Sequence, residues 1–358
     1  MRHRARIALA AVCAAACSAA CSGSGSTGPA VPSRTYRMGF SDFPPRLTIQ
    51  AYQDNVAAWT PRADAAIMHE SPPWKELLAG ARPDSLVITE RLAIANYYHA
   101  HGFTIFATID VTNGLKRSEE HPDLVAAGRS ITEPAIQAME RGWLVAFDTL
   151  VRPDYLGLAA ETNLIRDAAP ANVYSAVVQM TNDGAADIRA RSPTPKLYVS
   201  VQVDDAWGRL GGPPGYKGVE RDYTDFPFIQ ALGLSSYPYF AYVDPDSVPL
   251  DYYARLRNGR ATPTMVVEGG WTSASVGTIT SDVDEQRRFF TRHRALLDSV
   301  HAIAWLQLDY ADFDTTGRAL PPGSVAPLFA YIGIATVDLA PKPALAVWDS
   351  TFALPLRP

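Results

Sequence analysis

Two glutamates stand at the ends of short apolar runs. Glu161 closes Tyr155-Leu156-Gly157-Leu158-Ala159-Ala160 and is followed by Thr162 and Asn163. Glu268 closes Met265-Val266-Val267 and is followed by Gly269, Gly270 and Trp271. A carboxylate at the end of a buried strand costs free energy unless partners hold it or it has a task. One such glutamate alone reads as the structural partner of an arginine or lysine. Two at matching strand ends suggest a carboxylate pair, and such a pair is what hydrolysis of a glycosidic bond needs: one proton donor, and one nucleophile or second base. The donor needs a raised pKa and the nucleophile needs hydrogen-bond donors that keep it ionised. Tyr237 is the candidate donor to Glu268; its alternative role is a half-buried aromatic beside Pro238.

The elements that must position these groups alternate. Apolar strands are expected at Arg37 to Ser41, Ala65 to His69, Phe103 to Val111, Tyr155 to Ala160, Lys196 to Gln202, Phe228 to Ser235, Thr264 to Val267 and Ala302 to Leu308. Helical stretches are expected at Leu86 to Ala100, Ile131 to Arg141 (stopped by Gly142), Asn172 to Ala190, Asp284 to Val300 and Lys342 to Trp348. Eight strands separated by helices predict an α/β fold, a parallel sheet with right-handed crossovers closed into a (β/α)₈ TIM barrel. A single domain over residues 35–358 is expected. In that architecture the site lies on the loops after the strands, so Glu70, Asn113, Glu161, Asp204, Tyr237, Glu268 and Asp309 fall near one rim.

The chain has 358 residues, 47% of them hydrophobic, and a net charge of −5. No basic block follows the extreme N-terminus, which argues against a nucleic-acid partner. Arg2, His3, Arg4 and Arg6 precede an alanine-rich apolar stretch from Ile7 to Ala20, too short to span a bilayer as a mature helix. Residues 1–21 therefore read as an export signal, and residues 22–34 as a flexible Gly/Ser/Pro tether. All three cysteines, Cys13, Cys17 and Cys21, lie in the signal, so no disulfide framework exists. Small residues, then Cys21, then the tether resemble a bacterial lipoprotein signal with Cys21 lipidated. Ser18 departs from the leucine usual at that position. The alternative is an ordinary secretory signal cut after Ala16 or Ala20. Location in the cell envelope follows from either reading, with membrane attachment only through the lipid, and a monomer is expected.

At the fourth, sixth and seventh strands the chain resembles retaining (β/α)₈ glycoside hydrolases, most of all the endo-β-1,4-galactanase family, glycoside hydrolase family 53. Leu232-Gly233-Leu234-Ser235-Ser236-Tyr237-Pro238-Tyr239 is similar to that family's Gly-Leu-Ser-Tyr-Tyr-Pro strand. Val266-Val267-Glu268-Gly269-Gly270-Trp271 is similar to its Val-Glu-Thr-Gly-Trp strand. The resemblance implies Glu268 as nucleophile and Glu161 as acid/base, on an oligo- or polysaccharide. One departure is plain: the family's fourth strand carries Asn-Glu, its asparagine binding the sugar 2-hydroxyl, and here Ala160 precedes Glu161. Asn163 is a candidate substitute, or else a helix N-cap. The alternative function is a catalytically inactive glycan-binding barrel lipoprotein.

Further subsite candidates are Trp74, Trp271 and Trp305 as platforms for sugar rings, His69 and Glu70 at the second strand, and Asp204, Asp205 and Trp207 after the fifth. Core packing is the alternative for Trp305, and a solvated turn for the fifth-strand group. No cofactor and no catalytic metal are expected. The stretch from Asp312 to Gly317 begins like a calcium loop, but its twelfth position is Gly323, not the required glutamate. His99 and His101 are two positions apart, where the helical zinc signature needs four.

Overall fold

A computed structural model describes residues 32–191, 194–211, 214–316, 320 and 323–357. The expected signal, most of the tether and Cys21 lie outside the described residues. Ser33–Pro358 forms one compact unit. Its eight strands are β1 (Arg37–Ser41), β2 (Ala65–Glu70), β3 (Thr104–Ile109), β4 (Tyr155–Gly157), β5 (Lys196–Gln202), β6 (Ala231–Ser236), β7 (Thr264–Gly269) and β8 (Ala304–Gln307). Each pairs in parallel with the next, and β1 pairs with β8 through Arg37 and Ala304, closing the barrel. This is the expected (β/α)₈ TIM barrel.

Alternation along the strands sorts the side chains into two cores. Ala65, Ile67, Phe106, Tyr198, Met265, Val267 and Leu306 fill the barrel's interior. Their neighbours, such as Met38, Leu197, Val199, Leu234 and Val266, face the helices. Tyr198 is the largest interior filler, and its hydroxyl donates to the Ala107 carbonyl. Two glycines make room for it. A β-carbon at Gly157 would come within 2.6 Å of the ring, and one at Gly233 within 2.9 Å.

Among the boundaries that differ from the sequence reading, three have a clear physical reason. The helix expected over Leu86 to Ala100 is two, Pro83–Glu90 and Leu92–Ala100, broken at Arg91, whose guanidinium turns to the buried Glu70 at 2.6 Å. The helix expected to stop at Gly142 runs from Pro134 to Val151. A mid-helix glycine costs only about 1 kcal/mol against alanine, and burying Trp143, Leu144, Phe147 and Val151 beyond it outweighs that. The fourth strand ends at Gly157 rather than Ala160, because the chain turns there to deliver Glu161.

Candidate active site

Glu161 sits in the left-handed region, with φ 49° and ψ 48°. A non-glycine residue there is uncommon and costs on the order of 1–3 kcal/mol, a strain typical of functional sites. The surroundings hold it. Its amide N–H donates to Ser200 Oγ at 2.9 Å, and Ser200 points inward from β5. The helix Thr162–Ala168 begins immediately after it, yet the Glu161 side chain does not cap that helix. Both carboxylate oxygens are turned to other partners. Oε1 accepts from Ser235 Oγ at 2.6 Å, and Oε2 accepts from Arg117 Nε at 2.9 Å.

Glu268 reaches the same place through an irregularity in the sheet. Leu234 pairs with Val266, but the next β6 residue, Ser235, pairs with Glu268, so the register slips between β6 and β7. Met265 and Val267 already point into the barrel. Strict alternation would turn Glu268 away from the interior; the slip brings it beside the inward-facing Ser235, as bulges re-aim side chains near active sites. Ser235 therefore touches Glu161 with its hydroxyl and stands in register with Glu268. A cavity of about 770 Å³ opens above the strand ends, and both glutamates line it, together with Tyr237, Arg117, Gln202 and Asp309.

The electrostatics are uneven. Burial first, and then the neighbouring Glu161, push the Glu268 carboxyl up to about 7. The Tyr237 hydroxyl, which donates to Glu268 Oε1 at 2.6 Å, opposes that rise. His69 Nδ1 lies 3.8 Å from Glu268 Oε2. Burial lowers the histidine's pKa to about 4, so near neutral pH it brings no positive charge. The positive charge in contact with the glutamate pair is on Arg117. Burial disfavours its cation, but Asp110 and Glu161 more than compensate and raise its pKa. Its Nη1 donates to Asp110 Oδ1 at 2.5 Å. The cation thus sits on Glu161 and Asp110, at one end of the pair.

Most of the other candidates serve the fold instead. Trp74 and Trp305 are fully buried in the core around the barrel, and neither can offer a face to a sugar. Trp271 is buried against Phe289, its indole N–H spent on Ser281 Oγ. Trp207 donates to the Tyr252 carbonyl under Arg255 and lies outside the cavity lining. Asn163 is neither a cap nor a sugar ligand. It is fully buried, donates to the Gln202 carbonyl and to Asp205, and accepts from the Gln202 amide. Asp204 is buried and accepts from the hydroxyl of Tyr252 and from Gln202. Glu70 is taken by Arg91. Of these, Glu70 and Asp204 are the ones the strand count places at the rim; their aim is decided by neighbours the strand pattern does not reveal.

Sequence reasoning missed Arg117, Asp110, Ser200 and Ser235. One signal was available: Asp110 ends the third apolar run, and Arg117 follows in the loop after it.

No protein-family model and no curated protein matches this chain. Solved structures do resemble it. A β-glucuronidase of Ruminococcus gnavus in complex with uronic isofagomine matches with a TM-score of 0.58 at 14% identity, over 89% of this chain and 51% of that one. An exo-β-1,4-mannosidase from Opitutaceae bacterium strain TAV5 matches with 0.62 at 14%, over 89% and 59%. A GH5_18 protein from Bifidobacterium longum in complex with Manβ1-4GlcNAc matches with 0.60 at 13%, over 90% and 80%. The structural neighbours are TIM-barrel glycoside hydrolases, and at these identities the likeness is one of fold. The chain spans about half the length of the glucuronidase.

Proposed function

We propose that the chain is a glycosidase that cleaves a β-linked glycoside by double displacement with retention. The observation that carries this reading is that Glu161, after β4, and Glu268, at the end of β7, line one cavity, with Ser235 bonded to the first and in register with the second. Glu268 attacks the anomeric carbon; Glu161 protonates the leaving oxygen, then activates the water that releases the sugar. The Tyr237 hydroxyl favours the charged form of Glu268 that attack requires. Among the protein groups alone the polarity runs the other way, because Arg117 lies on Glu161 and Glu268 is the carboxyl whose pKa is raised. The approach to the transition state must therefore move the pair's proton to Glu161. Positive charge developing on the sugar ring next to Glu268 supplies that bias. Each Glu161 oxygen retains a second lone pair beside Ser235 and Arg117, so the proton has a place to sit.

Aryl β-glycosides of several sugars, with β-1,4-galactan included for the family 53 likeness, test the activity. Glu268→Gln checks for contaminating activity. Glu161→Ala should still form the glycosyl-enzyme from substrates with good leaving groups, stall at the second step, and be rescued by azide. Glu268→Ala should form no glycosyl-enzyme. Rescue of the Glu268 variant instead would exchange the two roles; equal loss in both, without rescue or adduct, sinks the mechanism. The carboxyl groups should stand about 5–5.5 Å apart.

A second reading is a catalytically inactive glycan-binding barrel. Ala160 favours it, since no amide side chain stands before Glu161 and Asn163 is fully engaged elsewhere. Glycan binding that survives both glutamate substitutions, without turnover by wild type, would support it. We also propose export and lipid attachment through Cys21, on the composition of the N-terminal segment.

A further inference from the structure

The walls of the cavity are out of keeping with a polysaccharide. Its described lining holds no tryptophan, and beyond Tyr237, whose hydroxyl is held by Glu268, its aromatic surface is phenylalanine: Phe43, Phe240, Phe313 and Phe329. Leucine, valine and isoleucine side chains continue it, among them Leu115, Leu328 and Val325. Phe43, Leu115 and Val325 are also among the large apolar side chains exposed to solvent on the described surface.

The apolar wall starts at the carboxylates. Tyr237, which holds Glu268, packs edge-on against Phe329 at 4.9 Å, and Phe329 packs edge-on against Phe240 at 5.7 Å. On the other side of Glu268, His69 is stacked by Phe43 at 5.8 Å. Arg117, Gln202, Asp309 and the two glutamates are polar groups of the lining, and Arg209 and Thr278 add two more among the apolar side chains.

A chain of sugars would bring several hydroxyls per ring against these walls. Each hydroxyl buried without a partner costs about 1–3 kcal/mol. A hydrocarbon surface has the opposite sign there and gains with every square ångström covered. The cavity volume of about 770 Å³ is that of a site for one compact amphipathic molecule. We infer that the site takes a glycoside with a single sugar at the glutamates and a large apolar aglycone, alkyl or polycyclic, along the phenylalanine wall. The inference rests on the proposed glycosidase reading for which end of the ligand is the sugar.

The test uses the full chain and pairs of methyl and n-octyl β-D-glucosides, galactosides, mannosides and glucuronides. Affinity is measured by isothermal titration below the micelle concentration, with Glu268→Gln used to prevent turnover. A buried methylene is worth about fourfold in affinity. With partial burial of the chain, the octyl member of the preferred sugar should bind at least about a hundredfold tighter than the methyl one. Leu115→Ser and Val325→Ser change exposed rim residues that the fold does not depend on, and should flatten this chain-length dependence.

Equal affinity for octyl and methyl glycosides overturns the inference. So does a preference that Leu115→Ser and Val325→Ser leave intact, because the chain then binds elsewhere. Turnover that rises with added sugar units but not with added methylenes overturns it while leaving the glycosidase reading standing. Chain-length-dependent binding without hydrolysis of any glycoside supports the inference and removes the glycosidase reading instead.

Discussion

The raised pKa of Glu268 has a consequence for stability that needs no substrate. In an unfolded chain this carboxyl titrates near its ordinary value of 4.5, and in the barrel near 7. The folded state therefore binds the proton more tightly. Its contribution to stability is complete below about pH 4.5 and is lost as the pH rises through about 7. A separation of about 2.5 pKa units corresponds to about 3 kcal/mol at 1.36 kcal/mol per unit. Screening through the open cavity, to which 16% of the side chain is exposed, should bring the observed value nearer about 2 kcal/mol. Glu268→Gln is the perturbation. Its amide stays neutral at every pH and its oxygen can still accept from Tyr237. Urea unfolding followed by tryptophan fluorescence, repeated from pH 4.5 to 8.5, gives the stability of both proteins. Their difference cancels other buried carboxyls with raised pKa values, such as Glu70 and Glu140. The variant should match wild type near pH 4.5 and exceed it by about 2–3 kcal/mol at pH 8.5. In Tyr237→Phe, which loses the hydrogen bond favouring the anion, the midpoint of the wild-type decline should move upward. A difference between Glu268→Gln and wild type that stays constant with pH would refute the argument. Glu268 would then be titrating as an ordinary solvated carboxyl, away from Glu161.

Other outcomes follow from single contacts. Arg117→Met should cost about 3–5 kcal/mol by leaving the buried Glu161 and the half-buried Asp110 without their cation; pairing it with Asp110→Asn should recover part of that loss in urea melts. Gly157→Ala should destabilise by about 1–3 kcal/mol through its clash with the Tyr198 ring, and combining it with Tyr198→Leu should be less than additive. Cys21→Ser should move the protein from the membrane fraction to the soluble fraction of the envelope; unchanged fractionation and processing would remove the lipoprotein reading.

The fold was legible because its signals are local. Each apolar run of four to nine residues announces a strand, and the number of runs announces closure. Tyr237 and the two glutamates were legible because they follow such runs directly. What could not be read was aim. Trp305 and Asp204 occupy positions that a strand count places near the site, yet one is packed among aromatic rings and the other is bound by Tyr252 and Gln202. The reverse holds for Arg117, which lies in a loop with no periodic pattern and reaches Glu161 across the barrel mouth. The register slip that orients Glu268 is equally invisible, since it depends on which β6 residue Val267 fails to face.

Closure of the barrel also sets how the chain must come together in time. The Ser41 hydroxyl meets the Leu308 carbonyl, 267 positions further along, and β1 pairs with β8 beside it. Bringing ends so far apart together costs about 5 kcal/mol of chain entropy, plus a constant, before that pairing returns anything. A chain made from its N-terminus holds β1 and β7 as two bare sheet edges until Ala304–Gln307 arrives, and bare edges invite pairing with other chains. Loss of residues 304–357 should therefore yield not a smaller barrel but an open, adhesive sheet. The seam between first and last strand is the step at which refolding and aggregation compete.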